Sequence, residues 1–114
     1  SMSEFVEYLA EVFEQFGIIH AKRMFGGYGI YFDGVMFGLV QDEMLYLKAD
    51  AKGVHHFEEN NLASFTYDKG GKIIKVAYYL APEEIYDDRD EAAIWARRSF
   101  EAAFRAKLKK PKRL

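Results

Sequence analysis

Residues 24–40 read MFGGYGIYFDGVMFGLV, and this stretch restricts the fold more than any other. Its aromatic and branched apolar residues call for β-structure, yet five of its seventeen residues are glycine, which weakens strands. The Asp33–Gly34 pair between alternating apolar segments is the strongest short hairpin signal in the chain. With those two residues as the turn, register fixes the partners, because side chains alternate faces with period two. Phe32 then faces Val35, Ile30 faces Phe37 and Tyr28 faces Leu39, making one continuous aromatic and aliphatic surface. On the other side Tyr31 faces Met36, Gly27 faces Val40, and a bare Gly29–Gly38 pair leaves a trough. Either a helix of the same domain or an outside partner can approach a backbone that closely.

The remaining segments give the hairpin its company. Residues 3–16, SEFVEYLAEVFEQF, place Phe5, Leu9, Val12 and Phe16 on one stripe with the glutamates largely outside it. This predicts a helix capped by Ser3, with Gly17 as a left-handed residue at its end. MLYLK at 44–48 predicts a third strand, and residues 51–60 a modest helix with Asp50 as cap and Val54 and Phe57 facing in. SFTY (64–67) and KIIKVAYYL (72–80) predict a second hairpin around DKGG, after which Pro82 opens a helical turn. A last helix starts near Asp88, whose spacing to Glu91 is that of a capping box, and runs to about Leu108. The order α-β-β-β-α-β-β-α defines an α+β fold, an antiparallel sheet covered by helices.

A chain of 114 residues, half of them hydrophobic, suits one domain with a real core. Ser1 ahead of Met2 reads as a cloning remnant, residues 3–104 as the domain and 105–114 as the end of the last helix and a basic tail. No run is long and apolar enough to span a membrane, and no basic-then-apolar leader is present, so a cytoplasmic setting is expected. The chain has no cysteine, hence no disulfide framework and no thiolate chemistry. GGYG leads into a strand rather than a helix N-terminus, so it lacks the geometry of a phosphate loop. Adjacent His55 and His56 point about 100° apart on a helix and make a poor chelate. The acidic residues between Glu83 and Glu91 suit helix starts, where the dipole favours negative charge. No catalytic set, metal site or cofactor is expected, and the chain reads as a non-enzyme. Tyr67, Tyr78, Tyr79 and Tyr86 are expected in packing rather than base stacking.

Two features of the last helix concern partners. Ala93, Ala96, Phe100, Phe104 and Leu108 form the stripe expected to lie on the sheet. Trp95, Ser99, Ala102 and Ala106 form a second seam, small enough for close approach by the first helix, the sheet edge or a second copy of the chain in a homodimer. Beyond it, Arg105, Lys107, Lys109, Lys110, Lys112 and Arg113 make the tail basic, leaving 10 basic and 18 acidic residues elsewhere, a body of net charge −8. Such a tail either solvates the helix end or touches phosphate. The acidic body makes direct DNA binding weak or absent, and salt-sensitive where it occurs.

The blocks RMFGGYGIYFDGVMFGLV, LYLKAD, FTYDKGGK, VAYYLAPEE and WARRSFEAA, in this order, resemble the TfoX/Sxy N-terminal domain family. The resemblance spans most of residues 5–104 and implies a fold similar to that of secretion-chaperone-like proteins. It also implies regulation of natural competence genes alongside the cyclic-AMP receptor protein, and it brings no catalytic residues. On this reading the chain is a single-domain member without the regulators' C-terminal domain. It is expected to work by protein–protein contact, with transcription machinery as partner. The alternative is a chaperone-like or structural binding module that uses the trough or a sheet edge.

Overall fold

The computed structural model describes residues 2–110. Helix α1 (Glu4–Val12) begins where the Ser3 hydroxyl accepts a hydrogen bond from the Val6 amide at 3.1 Å. It stops four residues short of its expected end. Residues 13–16 tighten into turns, with the Glu14 amide donating to Glu11 and the Phe16 amide to Phe13. Phe13 and Phe16 stay buried all the same. Gly17, at φ 158°, is not the left-handed cap expected of it. A Cβ there would run into the Phe32 ring, and this close approach is what selects glycine.

Six antiparallel strands follow: β1 (His20–Met24), β2 (Gly27–Phe32), β3 (Val35–Gln41), β4 (Met44–Lys48), β5 (Ser64–Lys69) and β6 (Lys72–Leu80). They lie in the order β1-β2-β3-β4-β6-β5. The architecture is the expected α+β, with one strand more. HAKRM in β1 carries no alternation because it is an edge strand with polar residues outward, the usual protection of an edge. It turns into β2 through Phe25 and Gly26, both at positive φ (50° and 79°). Asp33 and Gly34 form the β2–β3 turn as expected, at φ 49° and 75°.

The register of that hairpin slips, which corrects the expected pairing. Tyr31 faces Met36 and Phe32 faces Val35, but a bulge then leaves Phe37 without a partner and sets Ile30 opposite Gly38, Gly29 opposite Leu39 and Tyr28 opposite Val40. Beyond the bulge every β3 side chain has changed face. Gly29 and Gly38 therefore do not pair. A Cβ at Gly38 would lie 3.2 Å from Ile30 Cβ, on the core side, whereas one at Gly29 would lie 2.7 Å from Met24 Sδ and 3.0 Å from Met36 Sδ, on the opposite side.

The helices cover one face of the sheet. Phe13 of the α1 end meets Phe37 edge-on at 5.8 Å, and Phe16 packs on Phe32 at 4.6 Å. Helix α2 (Val54–Glu58), shorter than expected, inserts Phe57 between Tyr79 and Trp95, with ring centroids 5.3 and 5.1 Å away. A 3₁₀ turn (Glu83–Tyr86) buries Ile85. Helix α3 (Arg89–Leu108) starts where the Asp88 carboxylate accepts from the Asp90 and Glu91 amides at 2.9 and 3.2 Å, and it lies across β3 and β4.

Its orientation differs from the expected one. Trp95, Ser99 and Ala102 are 2%, 0% and 1% exposed and face the core, whereas Phe104 and Leu108 are 44% and 69% exposed. Ala92, Ala96, Ser99 and Ala103 let the helix backbone close on a sheet whose own Phe37, Leu45 and Leu47 already fill the layer. Of the expected stripe, Ala96 is buried and Phe100 packs on Phe16 and Phe32, while Phe104 and Leu108 turn outward. The seam for which the first helix, the sheet edge or a second copy was expected as neighbour is thus covered within the chain itself, with only Ala106 half-exposed.

Candidate functional site

Among the described residues, no helix covers the second face of the sheet. Register gathers Lys22, Gly29, Leu39 and Tyr46 in one row on it, and Lys48 with Tyr78 in the next. Tyr67 pairs with Ile74, and Lys69 with Lys72, on the same side. The bulges at Ile30/Tyr31 and Ser64/Thr66 deepen the twist and curl this face inward. Met24 and Phe25 from one end of the sheet and Phe65 and Tyr67 from the other consequently line a single groove of about 520 Å³, floored by Leu39 and Val76. The curl also brings Tyr31 of β2 near enough to Tyr78 of β6 to act on its ionisation, although β3 and β4 lie between them. Burial first, and Tyr31 second, push the Tyr78 phenol up to about 12, so it remains a neutral donor at any physiological pH.

The lining is apolar, and the charged groups around it share one sign. Among the strand residues only Asp68 is acidic, and it pairs with Ile73 on the opposite face, its carboxylate capping the Gly71 amide at 2.8 Å. Lys22 and Lys48 stand over the rings of Tyr31 and Tyr78, with their amines 4.7 and 5.2 Å from the centroids. At the lip, Phe25 is 90% exposed, and its carbonyl accepts a hydrogen bond of 3.1 Å from Gln41 Nε2. A large side chain held at positive φ in solvent serves neither the core nor the turn.

The residues singled out from the sequence go to several places. Gly29 borders this groove, under the Met24 and Met36 sulfurs, while Gly38 is in the core. Arg105 is engaged with Asp50 through hydrogen bonds of 2.6 and 3.1 Å, which hold the Asp50 carboxyl below the usual carboxylate range. Lys107, Lys109 and Lys110 are exposed around the end of α3, and Lys112 and Arg113 lie outside the described residues. Tyr79 is buried on Phe57, and Tyr86 packs with Phe5 and Tyr8. His55 and His56 do not splay apart: their ring centroids are 4.0 Å apart, and with Glu59 they bring ligand atoms within 4.8 Å of one another. This trio sits on an exposed helix of five residues, and His56 lies edge-on to Trp95, where burial lowers its pKa. Sequence reasoning missed the groove because its outline depends on the bulges and the edge strand. The polar-to-aromatic step from HAKRM into Phe25 was the one available signal.

A sheet with helices on one face and an apolar groove on the other, with Lys22 and Lys48 beside it, defines an open-faced α+β domain. A family model described as TfoX N-terminal domain matches residues 11–103, and the chain belongs to that family. It is 28% identical over 101 residues to Protein Sxy of Escherichia coli (strain K12), a match that covers 89% of this chain. The match covers 46% of Sxy, so the chain spans about half the length of that relative.

Proposed function

We propose that this chain is a non-enzymatic regulatory domain that acts on competence-type transcription through protein contacts, with the curled sheet face as the contact surface. The observation that carries this reading is the apolar groove on the uncovered face of a TfoX N-terminal domain. Apolar surface left open on a sheet is costly unless something covers it in use. The kinship with Sxy supplies the regulatory side of the proposal. Its test is transcript measurement in the native cell: raised expression of the chain should lift competence-gene transcripts several-fold, and unchanged transcripts would remove the regulatory reading. A chaperone-like module would use the same groove, which suits exposed apolar segments, and would leave those transcripts untouched.

A further inference from the structure

We infer that the groove receives an acidic amphipathic helix from a partner protein. Its aliphatic side chains fill the space between Met36, Val76 and Tyr78, and its carboxylates meet Lys22, Lys48, Lys69 and Lys72. This rests on the contact reading above and adds the chemistry of the partner.

Three observations favour this occupant. The first is the layering. A sheet apolar on both faces is stable when both are covered, and here α1 and α3 cover only one. An extended peptide would pair with an edge strand, whereas a face is covered by a helix, as the chain's own helices do on the other side. A helix about 10 Å wide spans two to three strands, which fits a floor of β3, β4 and β6 between walls from β1 and β5.

Charge is the second. The strands present lysines and no carboxylate on this face, while the acidic residues lie on the helices, in the turns and, as Asp68, on the other face. An acidic partner is therefore attracted here and repelled by the rest of a net-acidic body, which fixes where it docks. The third is the state of the aromatic rings. Lys22 stands over Tyr31 and Lys48 over Tyr78, and Phe65 meets Tyr46 edge-on, so of the rings around the groove Phe25 and Tyr67 stay open, at opposite walls, with Met24, Met36, Leu39 and Val76 supplying sulfur and aliphatic carbon between them. Such an uneven surface takes side-chain knobs more readily than a run of flat bases, which needs successive open rings to stack on.

The probe is a fluorescein-labelled eighteen-residue peptide with leucines at i, i+3, i+4 and i+7 and glutamates on the flanks, titrated by anisotropy. Saturation at a Kd on the order of micromolar is expected, with about tenfold weaker binding for the same leucine stripe flanked by lysines. The double variant Lys22→Glu/Lys48→Glu should lose about tenfold in affinity with an unchanged circular dichroism spectrum. Val76→Glu should abolish binding, and the surface lysine variant keeps the test valid where Val76→Glu does not fold.

Equal binding of the two peptides, indifference to the lysine reversals, or tighter binding of a labelled oligothymidylate would each overturn the inference. So would self-association that the lysine reversals abolish, because the occupant would then be a second copy. The two readings fail separately. Transcripts that rise equally with wild type and the lysine variant keep the regulatory role and remove this partner, whereas flat transcripts with tight, lysine-dependent peptide binding do the reverse.

Discussion

At the scale of single residues, two side chains are placed against their own chemistry. Phe25 holds a left-handed backbone at φ 50° while its ring is 90% exposed. That conformation costs roughly 1–2 kcal/mol for a residue with a bulky side chain and much less for asparagine. Phe25→Asn is therefore expected to raise stability by about 1 kcal/mol in urea unfolding while weakening peptide binding at the groove. A variant that gained stability and bound as before would show the ring to be idle. Ser99 is the converse case, a hydroxyl at 0% exposure with no hydrogen-bond partner, one turn from a Trp95 Nε1 in the same condition. Burying an unpaired hydroxyl costs on the order of 1–3 kcal/mol, and alanine is the better helix former. Ser99→Ala should stabilise the protein by about 1 kcal/mol. A loss of similar size would instead reveal a buried water bridging Ser99 to Trp95.

Among the elements, β2 separates two kinds of glycine. A Cβ at Gly27 would run into the Val40 carbonyl, which belongs to a paired strand and cannot move aside. A Cβ at Gly29 would meet the sulfurs of Met24 and Met36, the far ends of flexible side chains. Gly27→Ala should thus cost about 3 kcal/mol and Gly29→Ala about 1 kcal/mol, measured by urea unfolding, with the second change reshaping the groove lining. Equal costs would contradict this division of the strand. The same strand marks what local patterning could convey. The Asp33–Gly34 turn, the two hairpins and the Asp88 cap were legible because turn chemistry and capping act within a few residues. The bulge at Phe37 was not. There Phe37 packs against Phe13 and Phe16 in the turns after α1, far away in sequence, and one inserted residue exchanged the faces of Leu39 and Val40. The rotation of α3 has the same origin. Periodicity gave two stripes, and the space left by the sheet decided that Trp95, Ser99 and Ala102 went inside beside Ala96 and Phe100, leaving Phe104 and Leu108 in solvent. The groove inherits both effects, which is why its residues were scattered through the sequence reading without being joined.

The whole molecule is polarised: helices and most carboxylates lie on one side, and the lysine-rimmed apolar face lies on the other. A fold built this way needs its helical layer held in place without help from the open side, and one ion pair ties its ends together. Asp50, just after β4, receives two hydrogen bonds from Arg105 near the end of α3, 55 residues on, and its Oδ1 also accepts from the Gly53 amide at 3.1 Å. Both side chains are largely shielded, at 21% and 32% exposure, so solvent screens this pair less than an ordinary surface contact. The Arg105 hydrogen bond is the main reason the Asp50 carboxyl is held below the usual aspartate range. A carboxyl whose folded pKa is depressed contributes stability that is present above its unfolded pKa and lost as pH falls through the folded one. The Asp50→Asn variant, which lacks the charge-assisted bonds, should accordingly be less stable than wild type by about 1.5 kcal/mol at pH 7. That difference should hold down to about pH 4 and shrink below it, as wild-type Asp50 takes up its proton. Urea titrations of both proteins at stepped pH measure the difference directly. A gap that persists unchanged through the acid range would assign the effect to packing of the Asp50 loop and not to its charge.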